Sequence, residues 1–197
     1  MPNWCSNTLY LEHEDPAMIK RAADAFARGE LLNEFIPVPA ELKEVTAPNR
    51  EPNRQELFEK YGYSDWYDFC CGSWGTKWDV GDSTGVNEIS DDGTSVSMYF
   101  DSAWAPPIAA YEHFEVLGFR VFAKYYESGC AFAGIYDDCG DEYYDLTGMS
   151  ADEIADQIPE DLDNEFNISE MMREFEEPEP LTDWYKQGVE DKGLDRE

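Results

Sequence analysis

The chain is short of positive charge. It has 14 Lys and Arg in 197 residues, against 44 Asp and Glu, for a formal net charge of −30. A surface of that sign repels phosphate, so direct nucleic-acid binding through a basic face is not expected. Anionic membrane is disfavoured on the same ground. Histidine is scarcer still, at His13 and His113 alone. The five cysteines (Cys5, Cys70, Cys71, Cys130 and Cys139) include no Cys-x-x-Cys pair. Neither a zinc site nor a disulfide framework fits that pattern, so no metal and no cofactor is expected. Free, mostly buried thiols in a reducing cytosol are the natural state. No stretch approaches the roughly 18 apolar residues of a membrane-spanning helix. The opening MPNWCSNTLYLEHE lacks the basic-then-apolar order of a signal peptide, which points to a cytoplasmic protein. No P-loop, Gly-x-Gly-x-x-Gly or Gly-x-Ser-x-Gly occurs, so no motif names a reaction.

What is present is a foldable core. Hydrophobic residues make up 42% and aromatics 15%, enough to exclude wholesale disorder. Residues 7–12 alternate, with Leu9 and Leu11 on one face, and read as a strand starting close to residue 3. Asp15-Pro16 opens a helix that Gly29 closes. Residues 31–55 are less regular, and TAPNREPNR within them reads as a mobile loop. Helical spacing resumes at 54–61 and 65–71. Asp92-Gly93 marks a hairpin between strands at about 85–90 and 94–102. A helix over 108–117 follows Pro106-Pro107, then a strand over 119–126 and a hairpin around Cys139-Gly140.

This order contains βαββαβ. It predicts an α+β fold with a ferredoxin-like split βαβ antiparallel sheet and helices on one face. Residues 1–147 form that domain, with an irregular and helical insertion at 30–80. Residues 148–197 form an acidic helical extension and tail. Ser150 caps its first helix, and Ile154, Ile158, Leu162 and Phe166 recur every four residues. Leu181, Trp184 and Tyr185 are the tail's one candidate anchor. From Gly134 onward there are 22 acids and 4 bases, so acidity is densest toward the C-terminus.

Two groups of residues are candidate sites. The first is an acidic surface for a basic partner: Asp137, Asp138, Asp141, Glu142, Asp152, Glu153, Asp156, Glu160, Asp161, Asp163 and Glu165. The turn 137–142 lacks the regular ligand spacing of a calcium loop. The second is a ligand pocket of Asn3, Trp4, Asn7, Trp74, Lys77, Trp78, Trp104 and Glu127. Its tryptophans would offer stacking faces and its lysine a charge. The competing interpretation is that the tryptophans fill core and Lys77 pairs with Asp79 or Glu127. Cys5 is a candidate nucleophile only with a base beside it, and neither histidine is near in sequence.

Asn3-Trp4-Cys5-Ser6-Asn7, then Trp74-Gly75-Thr76-Lys77-Trp78-Asp79, then Ser102-Ala103-Trp104-Ala105-Pro106-Pro107 and Tyr126-Glu127-Ser128-Gly129, resemble a family of uncharacterised bacteriophage and conjugative-plasmid proteins with a ferredoxin-like domain. The resemblance covers about residues 1–146. It implies that fold, a mobile-element origin and hence the host cell cytosol as location, and it brings no catalytic residues. Charge and resemblance together predict a non-enzymatic inhibitor. It would present carboxylates, in the manner of a DNA mimic, to a host defence protein or other basic nucleic-acid-binding complex. The alternative is a small-molecule or nucleotide-binding module, which could be an enzyme, using Trp74, Lys77 and Trp78.

Overall fold

A computed structural model describes residues 3–81 and 88–176. The chain divides into two compact units, Met1–Thr147 and Gly148–Glu197. The first is built on β1 (Trp4–Glu12), α1 (Pro16–Ala27), α2 (Leu31–Phe35), α3 (Ala40–Lys43), α4 (Arg54–Tyr61), α5 (Trp66–Ser73), β2 (Glu88–Ile89), β3 (Ser95–Ala103), α6 (Ile108–Val116), β4 (Arg120–Glu127), β5 (Phe132–Asp137) and β6 (Gly140–Asp145). The second contains α7 (Ala151–Gln157), α8 (Glu160–Phe166) and α9 (Ile168–Glu176).

The six strands form one antiparallel sheet in the order β2-β3-β1-β4-β5-β6. The first four are arranged as a ferredoxin-like split βαβ, and the β5–β6 hairpin extends it beyond β4. Alternation decides which face is covered. Leu9 and Leu11 of β1, Val96, Met98 and Phe100 of β3, and Val121 and Ala123 of β4 are all buried. They share one core with Ile19, Ala22 and Phe26 of α1 and Ala110, Tyr111 and Phe114 of α6. The opposite face carries Tyr10, Tyr99 and Phe122, all exposed.

Local chemistry sets the helix ends. Asp15 caps α1 by accepting from the Ala17 N–H, with Pro16 in the first turn. Asp65 caps α5 through the Asp68 N–H. Pro159 separates α7 from α8. Ser150 and Glu153 form a reciprocal capping box at α7. In the second unit Ile154, Ile158 and Leu162 are buried as their spacing predicts, but Phe166 is only half-buried and Ile168 joins the buried set.

The insertion corrects two expectations. Residues 31–35, read as irregular, are a helix. Asp79 holds its start by accepting from the Leu32 and Asn33 N–H groups at 2.7 and 3.0 Å. The loop around Asn49, read as mobile, is tied down. Asn49 is buried, its N–H donates to Asp65 Oδ2 at 3.0 Å, and its side-chain amide donates to the Ser64 carbonyl at 2.8 Å. Buried hydrogen bonds of this kind fix a turn as firmly as regular structure does. Part of the expected 85–90 strand and the Leu181, Trp184 and Tyr185 anchor lie outside the described residues.

Candidate functional site

Because β3 and β4 both run antiparallel to β1, the ends of β3 and β4 lie beside the start of β1. Four sequence-distant segments therefore meet at one end of the sheet's central strands. Thr76 fastens the segment after α5 to the end of β3: its hydroxyl donates to the Ala103 carbonyl at 3.0 Å and accepts from the Ala103 N–H at 3.1 Å. The Trp104 N–H donates to the Asn3 carbonyl at 2.9 Å. Asn3 also lies against the turn after β4, where a Cβ added to Gly129 would meet the Asn3 amide nitrogen at 2.5 Å. Gly75, at φ +86, lets the chain pass the start of α6; a Cβ there would sit 3.1 Å from the Ile108 nitrogen.

This framework surrounds Lys77 with rings. Its Nζ lies 4.5 Å from the ring centre of Trp78, 5.1 Å from Trp104 and 5.9 Å from Tyr67. All three fall within the cation–π range. Trp4 packs on Trp78 with centroids 5.8 Å apart. Among the described residues Lys77 makes no ion pair, in a chain of 44 acids. By contrast Lys20, Arg21, Arg28, Lys60, Arg120 and Arg173 are each paired to a carboxylate. The rings face outward: Trp4 is 48% exposed, Trp104 41% and Trp78 39%.

Trp104 is held at φ 71. A left-handed backbone at a side chain of this size costs about 1–2 kcal/mol. Its hydrogen bond to Asn3 and the Thr76 clamp on Ala103 hold it there. The conformation leaves the Trp104 ring beside Lys77.

Lys77 and Trp78 also line a cavity of about 420 Å³ with Trp66, Trp74, Lys43 and Asp79. Asp79 is engaged from three sides by the Leu32, Asn33 and Val80 N–H groups. Burial nonetheless raises its pKa, because desolvation outweighs the hydrogen bonds. A larger cavity, about 1080 Å³, lies in the insertion and is lined mainly by charged and polar groups, including Glu41, Glu44, Arg50 and Lys60.

The expected pocket is thus partly assembled and partly corrected. Asn3, Trp4, Lys77, Trp78 and Trp104 come together. Lys77 pairs with neither Asp79 nor Glu127 and lies over rings instead. Trp74 is 4% exposed and its Nε1 donates to the Ile36 carbonyl at 3.0 Å, so it packs in the core while also lining the smaller cavity with Lys77 and Trp78. Asn7 is buried under the sheet, donating to the Cys5 carbonyl at 2.7 Å and to Ser102 at 2.9 Å. Glu127 is buried and closes its own turn by accepting from the Gly129 and Cys130 N–H groups at 2.8 and 2.5 Å. Sequence reading missed Tyr67, whose only local signal is its place one turn before Cys71 on α5. Cys5 has no exposed surface, and burial pushes its thiol up to about 12, the opposite of an activated nucleophile.

The acidic set also divides. Several members have structural duties. Asp137 accepts from the Cys139 N–H, Asp141 from the Tyr125 hydroxyl, and Asp163 from the Ser169 N–H and hydroxyl. Asp152 pairs with Arg173, and Glu153 belongs to the capping box. Asp138, Glu142, Asp156 and Glu160 are exposed, as are Asp161 and Glu165. Among the described residues no group of three His, Cys, Asp or Glu is placed to hold a metal. Nor is any helix there long and apolar enough to cross a membrane.

No protein-family model matches the chain, and no curated protein does. Among solved structures, the crystal structure of protein api92 from Yersinia pseudotuberculosis (family-model DUF1281) matches with a TM-score of 0.40 and 11% identity, over 73% of this chain and 98% of that one. A likeness of that size carries no information about shared chemistry.

Proposed function

We propose that the protein is a non-enzymatic interaction protein of a mobile element. It engages a basic, nucleic-acid-binding host protein, such as a defence nuclease, by offering carboxylates where that partner expects phosphates. One observation supports this reading: exposed acids without matching bases. Residues 148–176 hold ten acids against the single base Arg173. That surplus of nine charges equals the charge on about 15 Å of duplex, at one charge per 1.7 Å. Among the described residues Asp138, Glu142, Asp156 and Glu160 are exposed acids with no capping or pairing duty, so they are the contacts expected to matter most. In the first unit Lys20, Arg21, Arg28, Lys60 and Arg120 are committed to its own acids, and its acids still outnumber its bases.

The test is competition. Labelled duplex is bound to a panel of restriction-type and nuclease proteins, and the full chain is added at low salt. Displacement that disappears in the variant Asp138→Asn/Glu142→Gln/Asp156→Asn/Glu160→Gln supports the reading. No displacement from any of them, or displacement unchanged in that variant, counts against it.

A further inference from the structure

Six bases of this acidic protein are each paired to a carboxylate. Among the described residues Lys77 is not, nor are Lys43, Arg50 and Arg54, and of these four Lys77 is the one set over three aromatic rings. Its ammonium is held by the faces of Trp78, Trp104 and Tyr67 instead. Ring faces attract a cation without cancelling its formal charge. The positive charge therefore stays available at a half-buried position, beside three tryptophans whose rings are 39–48% exposed. Trp104 keeps a left-handed backbone conformation at this spot. Outliers of that kind cluster where a ligand is clamped.

We propose that Lys77, with Trp4, Tyr67, Trp78 and Trp104, forms a binding site for a small planar anion, the class represented by a nucleoside monophosphate. The planar group stacks on an exposed indole and the anionic group meets the Lys77 ammonium. Stacking on tryptophan is tolerant of which base is offered, since every base has a π face. The cavity that Lys77 and Trp78 also line, about 420 Å³, is of the size that holds small ligands. Lys43 adds a second cation to its wall. The two acids on that wall are already engaged: Asp79 accepts three backbone N–H groups, and Glu30 lies 3.6 Å from the Arg28 guanidinium.

Two other guests are disfavoured by the same geometry. A cationic guest, the usual occupant of an aromatic cage, would meet the ammonium already there. A long polyanion would gain one or two cations and face a net charge of −30. The site shares no residue with the acidic contacts proposed above, so either assignment can fail alone.

The experiment titrates the full chain with adenosine, guanosine, cytidine and uridine monophosphates, reading tryptophan fluorescence and isothermal titration calorimetry. The matching nucleosides, inorganic phosphate and a single-stranded decanucleotide are run alongside. The expected result is saturable quenching by at least one monophosphate, with its nucleoside and free phosphate each about tenfold weaker or worse. Lys77→Met is expected to weaken binding about tenfold, Lys77→Arg to retain it, and Trp4→Ala to reduce both quenching and affinity. Trp4 is 48% exposed, so its variant folds even if Lys77→Met does not. No saturable binding at millimolar nucleotide overturns the proposal. So does undiminished binding in Lys77→Met and Trp4→Ala, or tighter binding of the decanucleotide than of any mononucleotide.

Discussion

At most helical or extended positions alanine is worth more than glycine, but at Trp104 the order is expected to reverse. Trp104 sits at φ 71, and both Trp104→Ala and Trp104→Gly lose the ring and its contact with Lys77. The ring's contribution therefore cancels when the two variants are compared, leaving only the backbone. An alanine must keep the left-handed conformation at a cost of about 1–2 kcal/mol, from which glycine is free. Glycine brings back about 0.5–1 kcal/mol of extra disorder in the unfolded chain. The difference leaves the glycine variant more stable by about 0.5–1 kcal/mol, or roughly 1–4 °C in Tm for a unit of this size. Urea denaturation followed by far-ultraviolet circular dichroism measures it without relying on the tryptophan that was removed. If alanine equals or exceeds glycine, the backbone at Trp104 is not held left-handed, and the clamp of Asn3, Thr76 and Ala103 does not act as described.

Four further outcomes follow from buried polar groups. The Tyr111 hydroxyl is buried with no hydrogen-bond partner among the described residues, so Tyr111→Phe is expected to leave stability unchanged or raise it by about 1 kcal/mol; a loss of that size would mean the hydroxyl is satisfied. Asp65→Ala removes both the α5 cap and the anchor of Asn49, and is expected to cost about 2–4 kcal/mol in a urea melt, with protease cutting between residues 44 and 54 as its signature; equal cutting of wild type and variant would contradict the anchoring. Burial pushes the Cys5 and Cys70 thiols from 9.0 up to about 12. The folded chain holds these protons more tightly than the unfolded chain. Their contribution to stability is thus whole below about pH 9 and is lost as pH rises toward 12. The same burial predicts that iodoacetamide alkylates the exposed Cys130 and Cys139 in the native protein and reaches Cys5 and Cys70 only in denaturant; native labelling of Cys5 would refute it.

The sheet was legible in the sequence because alternation is a local signal. Leu9 and Leu11, Val96, Met98 and Phe100, and Val121 and Ala123 each occupy the face that their period of two assigns. Helix starts at Asp15 and Ser150 were legible for the same reason, since a capping side chain lies within three residues of the groups it satisfies; the Asp65 cap of α5 was not read from the sequence. What escaped depends on partners far along the chain. The five residues of α2 have too short a period to declare themselves, and Asp79, which holds their first turn, lies 46 and 47 residues away from them in sequence. The Asn49 loop reads as mobile from its prolines and asparagines, but Asp65 and Ser64 hold it from a later segment.

The candidate site divided along the same line. Motif spacing picked out Trp4, Lys77, Trp78 and Trp104, yet could not tell which tryptophan of the Trp74–Trp78 segment turns inward. Trp74 does so because a carbonyl on the Ile36 segment accepts from its indole. Asn7 resembled a pocket amide because, like Asn3, it lies at the start of the first strand. Its odd-numbered place on β1 puts it with Cys5 and Leu9 on the buried face. Glu127, one carboxylate among 44, is spent on its own turn.

Binding carried by charge has one direct test: the affinity of the full chain for the DNA-binding protein it displaces most strongly, measured against salt. The expected result is a fall of at least about tenfold between roughly 50 and 200 mM salt, because screening shortens the reach of surface charges to about 8–10 Å. The variant lacking the carboxylates of Asp138, Glu142, Asp156 and Glu160 should bind more weakly and lose much of that dependence. An affinity that is flat in salt and identical in the variant would contradict it.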